Sequence, residues 1–221
     1  MTETTVELRN VTKYYKTEGR KKMILDKVTL AFERGYSYAI LGVNGAGKST
    51  TLRLISGSEL PNSGKIKRNV RVSWPLGFAG GFHPMMSGRD NLKFVARAYG
   101  ADVGEVTEFV EDFAELGDYI KAPIKTYSSG MSARLAFGLS MAIEFDCYLI
   151  DEITAVGDAR FQAKCRKAFL RRQETADLIV VSHSMSTVKS YCQRGIVLVD
   201  GHPIYFDDVE NAIETYYRLN R

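Results

Sequence analysis

Apolar positions fall into short, dense runs separated by longer stretches in which they recur at helical spacing. Runs rich in β-branched and aromatic residues lie at 6–8, 28–32, 36–41, 70–73, 147–150, 178–181, 196–199 and 203–206. Their length and composition predict strands. The spacing between them predicts helices over 48–57, 91–99, 105–116, 131–143, 159–172, 185–191 and 209–217. Leu135, Leu139 and Ile143 recur at every fourth residue, which gives their helix one buried face. Strands alternating with helices imply an α/β core with a largely parallel sheet. Residues 88–125 break the alternation: they hold two helical patterns and no convincing strand, and read as an inserted helical lobe. Asp200-Gly201 between two apolar runs signals a hairpin.

Composition narrows the class. The 221 residues, 45% hydrophobic and 25% charged, suit one domain, or one domain with a small lobe. The net charge of +4 is mild. Arg20-Lys21-Lys22 and Arg171-Arg172 read as solvated faces, with binding to anionic lipid or a partner protein as the weaker alternatives. With no long basic run, no nucleic-acid partner is expected. Cys147, Cys165 and Cys192 are odd in number and lack C-x-x-C spacing, so reduced thiols are expected, with Cys147 in the core. Residues 1–10 lack the basic start and apolar stretch of a signal peptide. No window approaches the roughly 20 apolar residues of a membrane span. A cytosolic chain is expected, with any membrane link made through a partner.

The chemistry starts at Gly42-Val43-Asn44-Gly45-Ala46-Gly47-Lys48-Ser49-Thr50, which fits G-x-x-x-x-G-K-[ST]. It follows an expected strand and opens an expected helix, the context a phosphate loop needs. Its glycines let backbone N–H groups turn inward around phosphates, and the helix start adds a positive dipole end. Lys48 neutralises the outer phosphates, Ser49 offers a hydroxyl to Mg²⁺, and Thr50 lies beside the phosphates. A structural Gly-rich turn is the weaker alternative, because four fixed positions match by chance on the order of once in a hundred chains of this length.

Residues 147–152, Cys-Tyr-Leu-Ile-Asp-Glu, form an apolar strand ending in two carboxylates. In phosphate-loop proteins the strand beside the loop ends in an acid that holds Mg²⁺, usually through water. Asp151 takes that role, and Glu152 can polarise the attacking water as a general base. A strand end that merely turns polar is the alternative, less favoured once the loop is present. His183, in Val-Ser-His-Ser, is expected near the γ-phosphate, holding water and phosphate in register; a histidine capping the next helix is its competitor. His83, in a loop before Pro84, and His202, in the hairpin turn, read as structural.

Together these pieces resemble the ATPase subunit of ABC transporters over almost the whole chain. Tyr127-Ser128-Ser129-Gly130-Met131 stands where that family has its signature, usually Leu-Ser-Gly-Gly-Gln. Ser128 and Gly130 are kept, and the first, third and fifth positions differ. The resemblance implies that Ser128, Ser129 and Gly130 bind the γ-phosphate of ATP held by a second copy. It implies that Asp158 belongs to the D-loop, that His183 is the switch histidine, and that Tyr15 stacks on adenine, with Tyr14 as the alternative. The family's glutamine between the phosphate loop and the lobe has no counterpart in residues 74–91, so no Mg²⁺ ligand is assigned there.

Within the family, residues 74–78 (Trp-Pro-Leu-Gly-Phe), 80–84 (Gly-Gly-Phe-His-Pro), 94–97 (Phe-Val-Ala-Arg) and 127–131 look like the branch that exports capsular polysaccharide from Gram-negative bacteria. O-antigen exporters share two of these motifs, but many carry a C-terminal carbohydrate-binding domain for which 221 residues leave no room. The resemblance implies a P-loop NTPase core with a mostly parallel sheet, an N-terminal antiparallel β portion and an inserted helical lobe at about 88–145, all within a single nucleotide-binding domain over 1–221. It implies ATP and Mg²⁺ as cofactors and a homodimer of nucleotide-binding subunits. A separate integral membrane permease is the other partner, and the polysaccharide is not bound directly. The site is expected at the cytoplasmic face of the inner membrane. The rivals are an O-antigen or teichoic-acid exporter ATPase, a soluble ABC ATPase without a transport role, and a GTPase or kinase; a GTPase would need an Asn-Lys-x-Asp reader that the chain lacks.

Overall fold

The computed structural model describes residues 3–17, 19–76, 81–151 and 158–220. In chain order the elements are β1 (Thr4–Thr17), β2 (Arg20–Glu33), β3 (Tyr38–Leu41), α1 (Lys48–Ser56), β4 (Ser63–Arg68), β5 (Val72–Pro75), α2 (Gly88–Ala98) and α3 (Val103–Ala114). They continue with α4 (Ser129–Ala142), β6 (Cys147–Asp151), α5 (Ala159–Gln173), β7 (Asp177–Val181), α6 (Met185–Tyr191), β8 (Arg194–Val199), β9 (His202–Phe206) and α7 (Val209–Leu219). The chain divides into two compact units, one of residues 1–75, 145–153 and 176–221 and one of residues 76–144 and 154–175.

The first unit holds two sheets. An antiparallel one has the order β2-β1-β4, and a six-stranded one has the order β5-β6-β7-β3-β8-β9. Every pairing in the larger sheet is parallel except β8 with β9. All four residues of β3 are buried, as a central parallel strand requires. One apolar core joins both sheets to α1, drawing on Val6, Leu8 and Phe32 from the first, Ile40, Leu149 and Ile196 from the second, and Leu52 and Ile55 from the helix. Arg194 also joins them, with its guanidinium 2.8 Å from Glu33 and 3.6 Å from the centre of the Tyr36 ring. Asp200 and Gly201 have φ of 48° and 82°, the pair of positive values a two-residue hairpin between Val199 and His202 needs.

Some elements depart from the sequence pattern for physical reasons. The apolar run at 6–8 extends into a 14-residue strand, because the buried–exposed alternation continues through Val11 and Lys13. β4 (Ser-Gly-Lys-Ile-Lys-Arg) went unanticipated: it is a solvent-washed edge strand with almost no apolar signal. The strand expected at 70–73 lies at Val72–Pro75. His202 is the first residue of β9, outside the turn.

The second unit is helical among its described residues. Leu135 and Leu139 are buried along α4, and Ile143, also buried, is its C-cap. Phe113 of α3 stacks on Phe137 of α4 at 6.0 Å and meets the edge of Phe161 of α5 at 5.6 Å. The three cysteines are free and buried, and burial pushes Cys165 and Cys192 up to about 12. Among the described residues no helix is long and apolar enough to cross a membrane.

Gly195 of β8 is where α7 packs on the sheet: a Cβ there would sit 2.3 Å from Ala212 Cβ. Gly195→Ala is therefore expected to destabilise by about 1–3 kcal/mol. That corresponds to a melting temperature lower by about 2–12 °C. Gly81→Ala, whose added methyl meets nothing within 4 Å among the described residues, is the control and should melt like the parent. Calorimetry on the two variants checks the pair.

Candidate nucleotide site

β3 delivers the chain into the loop 42–47, and the carboxyl ends of β6 and β7 open on the same side of the sheet. That edge is where open α/β sheets bind ligands. Ala46 N–H donates to Val43 O at 3.1 Å, and Thr51 N–H donates to Gly47 O at 2.8 Å, closing the loop onto the first turn of α1. Gly47 has φ 102°, and a Cβ on it would lie 2.5 Å from Ile24 Cγ2. Only glycine meets both conditions.

The start of α1 differs from the other helices. It has no side-chain cap. The six other α-helices described are each capped by a Ser or Asp side chain. A helix start without a side-chain cap leaves N–H donors and a positive dipole end to an outside anion. Lys48 is buried, and its Nζ donates to Gly42 O at 2.7 Å and Val43 O at 3.2 Å, which folds the ammonium back into the loop.

A cleft of about 350 Å³ opens here, lined by Tyr15, Lys22, Ile24, Asn44, Gly45, Gly47, Lys48, Ser49, Thr50, Asp151, Val181 and His183. Residues far apart in sequence thus meet: the loop, the acid at the end of β6 and the histidine after β7. One expectation is corrected. The strand directly beside β3 is β7, and β6 stands one place further out. Asp151 still lines the cleft, because the parallel register sets it beside Val181 at the strand ends. Glu152 lies outside the described residues, as do Gly77, Phe78, Ala79 and Gly80 of the glycine-rich segment.

Tyr15 and Tyr14 separate cleanly. Tyr15 lines the cleft, and its hydroxyl donates to Glu59 Oε1 at 2.5 Å. Burial alone would raise the Glu59 pKa, but hydrogen bonds from Lys13, Tyr15 and Arg53 outweigh it and hold the carboxyl at about 2. Tyr14, one residue earlier and so on the opposite face of β1, lies under Lys21 Nζ at 4.0 Å. Lys22, Ile24 and the Glu59 network were not singled out from sequence. No sequence signal marked the first two, because the β1–β2 register shifts at Ile24.

In the second unit, Ser128, Ser129 and Gly130 are exposed at the start of α4. Ser128 Oγ accepts from Met131 N–H at 3.2 Å. Asp158 caps α5 by accepting from Phe161 N–H at 2.9 Å, and its other oxygen meets Arg134 of α4 at 3.1 Å. The helix-start N–H bond, with Arg134 beside it, keeps the Asp158 carboxyl below its ordinary range.

A parallel sheet, a glycine-rich loop at a central strand and an uncapped helix start define a phosphate-loop nucleotide-binding protein. The ABC transporter family model matches residues 25–155, and the chain belongs to that family. It is similar to the capsule polysaccharide export ATP-binding protein CtrD of Neisseria meningitidis serogroup B, with 48% identity covering 97% of this chain and 99% of that protein. It is also similar to the ATP-binding protein BexA of Haemophilus influenzae, with 47% identity covering 96% and 97%. Its fold matches a dimeric post-hydrolysis state of an ATP-binding cassette bound to ADP and Pi, with a TM-score of 0.70 and 22% identity over 90% of this chain and 96% of that one. The ABC cassette class binds nucleotide.

Proposed function

We propose that this chain is the ATP-hydrolysing subunit of an exporter that moves capsular polysaccharide across the bacterial inner membrane. The observation that carries the reading is the end-to-end similarity to a capsule export ATP-binding protein at 48% identity. The whole chain, 1–221, acts as one nucleotide-binding domain with a helical lobe at about 88–145.

The phosphate loop, Gly42 to Thr50, cradles the phosphates, and Lys48 leaves its loop carbonyls for the phosphate oxygens. Ser49 and Asp151 bring a hydroxyl and a carboxylate to one cleft, a donor pair that suits Mg²⁺ completed by phosphate oxygens and water. Glu152 polarises the attacking water, and His183 steadies the γ-phosphate. Two copies pack head to tail, and Ser128, Ser129 and Gly130 of one copy meet the ATP held by the other. Asp158 belongs to the same interface. The subunit sits at the cytoplasmic face of the membrane, docked on a separate permease. Met85 and Phe94, both more than half exposed in the lobe, supply apolar contacts for that docking.

Adenine stacks on the Tyr15 ring. Tyr15→Ala should raise the Kd for ATP about tenfold, the scale of losing one base–aromatic stack. Tyr15→Phe, which keeps the ring, should stay within about twofold, and Tyr14→Ala should bind like the parent. Fluorescence titration with labelled ATP measures all three. The export role is tested by affinity capture from solubilised membranes together with deletion of the gene. A multispanning membrane protein should co-purify, and polymer should accumulate inside the deletion strain. Undiminished surface polymer in that strain would sink the reading.

A further inference from the structure

We infer that Lys22 is a second cationic ligand for the nucleotide's phosphate chain, reaching over the loop from the antiparallel sheet. It rests on the reading that this cleft holds ATP. β1 and β2 pair antiparallel with Tyr15 directly opposite Lys22, so both side chains leave the same face of the sheet. Ile24, two residues further along β2, lines the same cleft and packs against Gly47. β2 therefore forms a wall of the cleft, with Ile24 at its base and Lys22 at its lip.

The lysine is aimed at the loop. A Cβ placed on Gly45 would lie 3.5 Å from Lys22 Nζ, so the ammonium hovers over the middle of the glycine-rich turn. Gly45 has φ 81°, and it stands between Asn44 and Ala46, both of which are more exposed than the buried Lys48. Two ammonium groups thus stand at one loop, ready for the same anion. Lys48 approaches from within the loop, where its Nζ rests on the Gly42 and Val43 carbonyls. Lys22 approaches from β2, beside Gly45. An ammonium there meets phosphates the loop has already wrapped, and the triphosphate carries more negative charge than Lys48 alone can balance. Because Lys22 is solvent-exposed, its contribution is screened by salt, whereas that of Lys48 is screened less.

The test compares Lys22→Met, Lys22→Arg and Lys22→Glu with the parent in ATP and ADP titrations at low and high salt. Lys48→Ala serves as the control for loss of the site. Removing one charge-assisted contact is expected to raise the Kd of Lys22→Met for ATP about five- to tenfold at low salt, with the gap narrowing at high salt. Lys22→Glu should bind more weakly still, and Lys22→Arg should return to within about twofold of the parent. ADP should follow ATP in direction. An unchanged melting temperature in Lys22→Met excludes a folding effect. Equal affinity of Lys22→Met and parent at low salt overturns the inference, and so does a loss that arginine does not restore. If the parent itself fails to bind ATP, the reading of the cleft falls first. Parental binding that disappears in Lys48→Ala but is undiminished in Lys22→Met sinks only the role of Lys22.

Discussion

Glu152→Gln is expected to keep ATP binding and to cut hydrolysis by about 10²- to 10⁴-fold, the range that a positioned general base contributes. The amide has nearly the same shape as the carboxylate but cannot take a proton from water. It also removes one negative charge next to Asp151, whose strand end lines the cleft with Lys48 and His183. Loss of that charge eases the approach of a triphosphate, so affinity should hold or rise while turnover stops. If two copies close around ATP and only hydrolysis reopens them, the variant should accumulate as a dimer in ATP and Mg²⁺. Phosphate release and size-exclusion chromatography read the two effects separately. Parental turnover in Glu152→Gln would remove Glu152 as the base and shift attention to His183, which lines the cleft.

What could be read from sequence depended on whether the determinants are local. The phosphate loop is contiguous, and its strand–loop–helix setting came from apolar periodicity, so its residues and its place at β3 were both legible. The Asp200-Gly201 hairpin was legible because two positive φ values select those residue types. β4 was not legible: its Lys-Ile-Lys-Arg pattern is that of a solvated edge, and only pairing with β1 makes it a strand. The strand order was not legible either. Nothing between residues 147 and 181 says that β7 separates β6 from β3, because that order is settled by packing across the sheet. The choice between Tyr14 and Tyr15 depends on a one-residue phase, and a side-chain period of two turns that phase into opposite faces. Lys22 was missed for a related reason. In sequence it belongs to Arg20-Lys21-Lys22, a cluster read as a solvated face, and only the β1–β2 register separates it from its neighbours.

Ser128→Arg is expected to abolish turnover while each monomer still binds ATP with parental affinity. The substitution alters the start of α4, where Ser128 now accepts a hydrogen bond from Met131 N–H. Losing that cap costs about 1 kcal/mol. A cation at a helix start adds roughly 0.3–1 kcal/mol. Both are small beside the 5–15 kcal/mol stability usual for a folded protein, and the site is exposed, so the variant should fold. Its own cleft draws only on residues of the first unit, all of them untouched. In the proposed dimer, however, the arginine side chain fills the space where the partner's γ-phosphate meets the α4 amides. It blocks closure sterically even though its charge attracts the phosphate. Titration of ATP into the monomer and a phosphate-release assay on the same preparation separate the two steps. A second arm mixes Ser128→Arg with Lys48→Ala. In that heterodimer one site combines a parental loop with a parental signature, and the other carries both lesions. Partial recovery of turnover on mixing, from two preparations that are each inactive, would follow only if the site is shared between copies. If Ser128→Arg monomers lose ATP, the signature acts within its own chain. If mixing restores nothing while the two variants still associate, the two sites must work as a pair, and a single intact one is not enough.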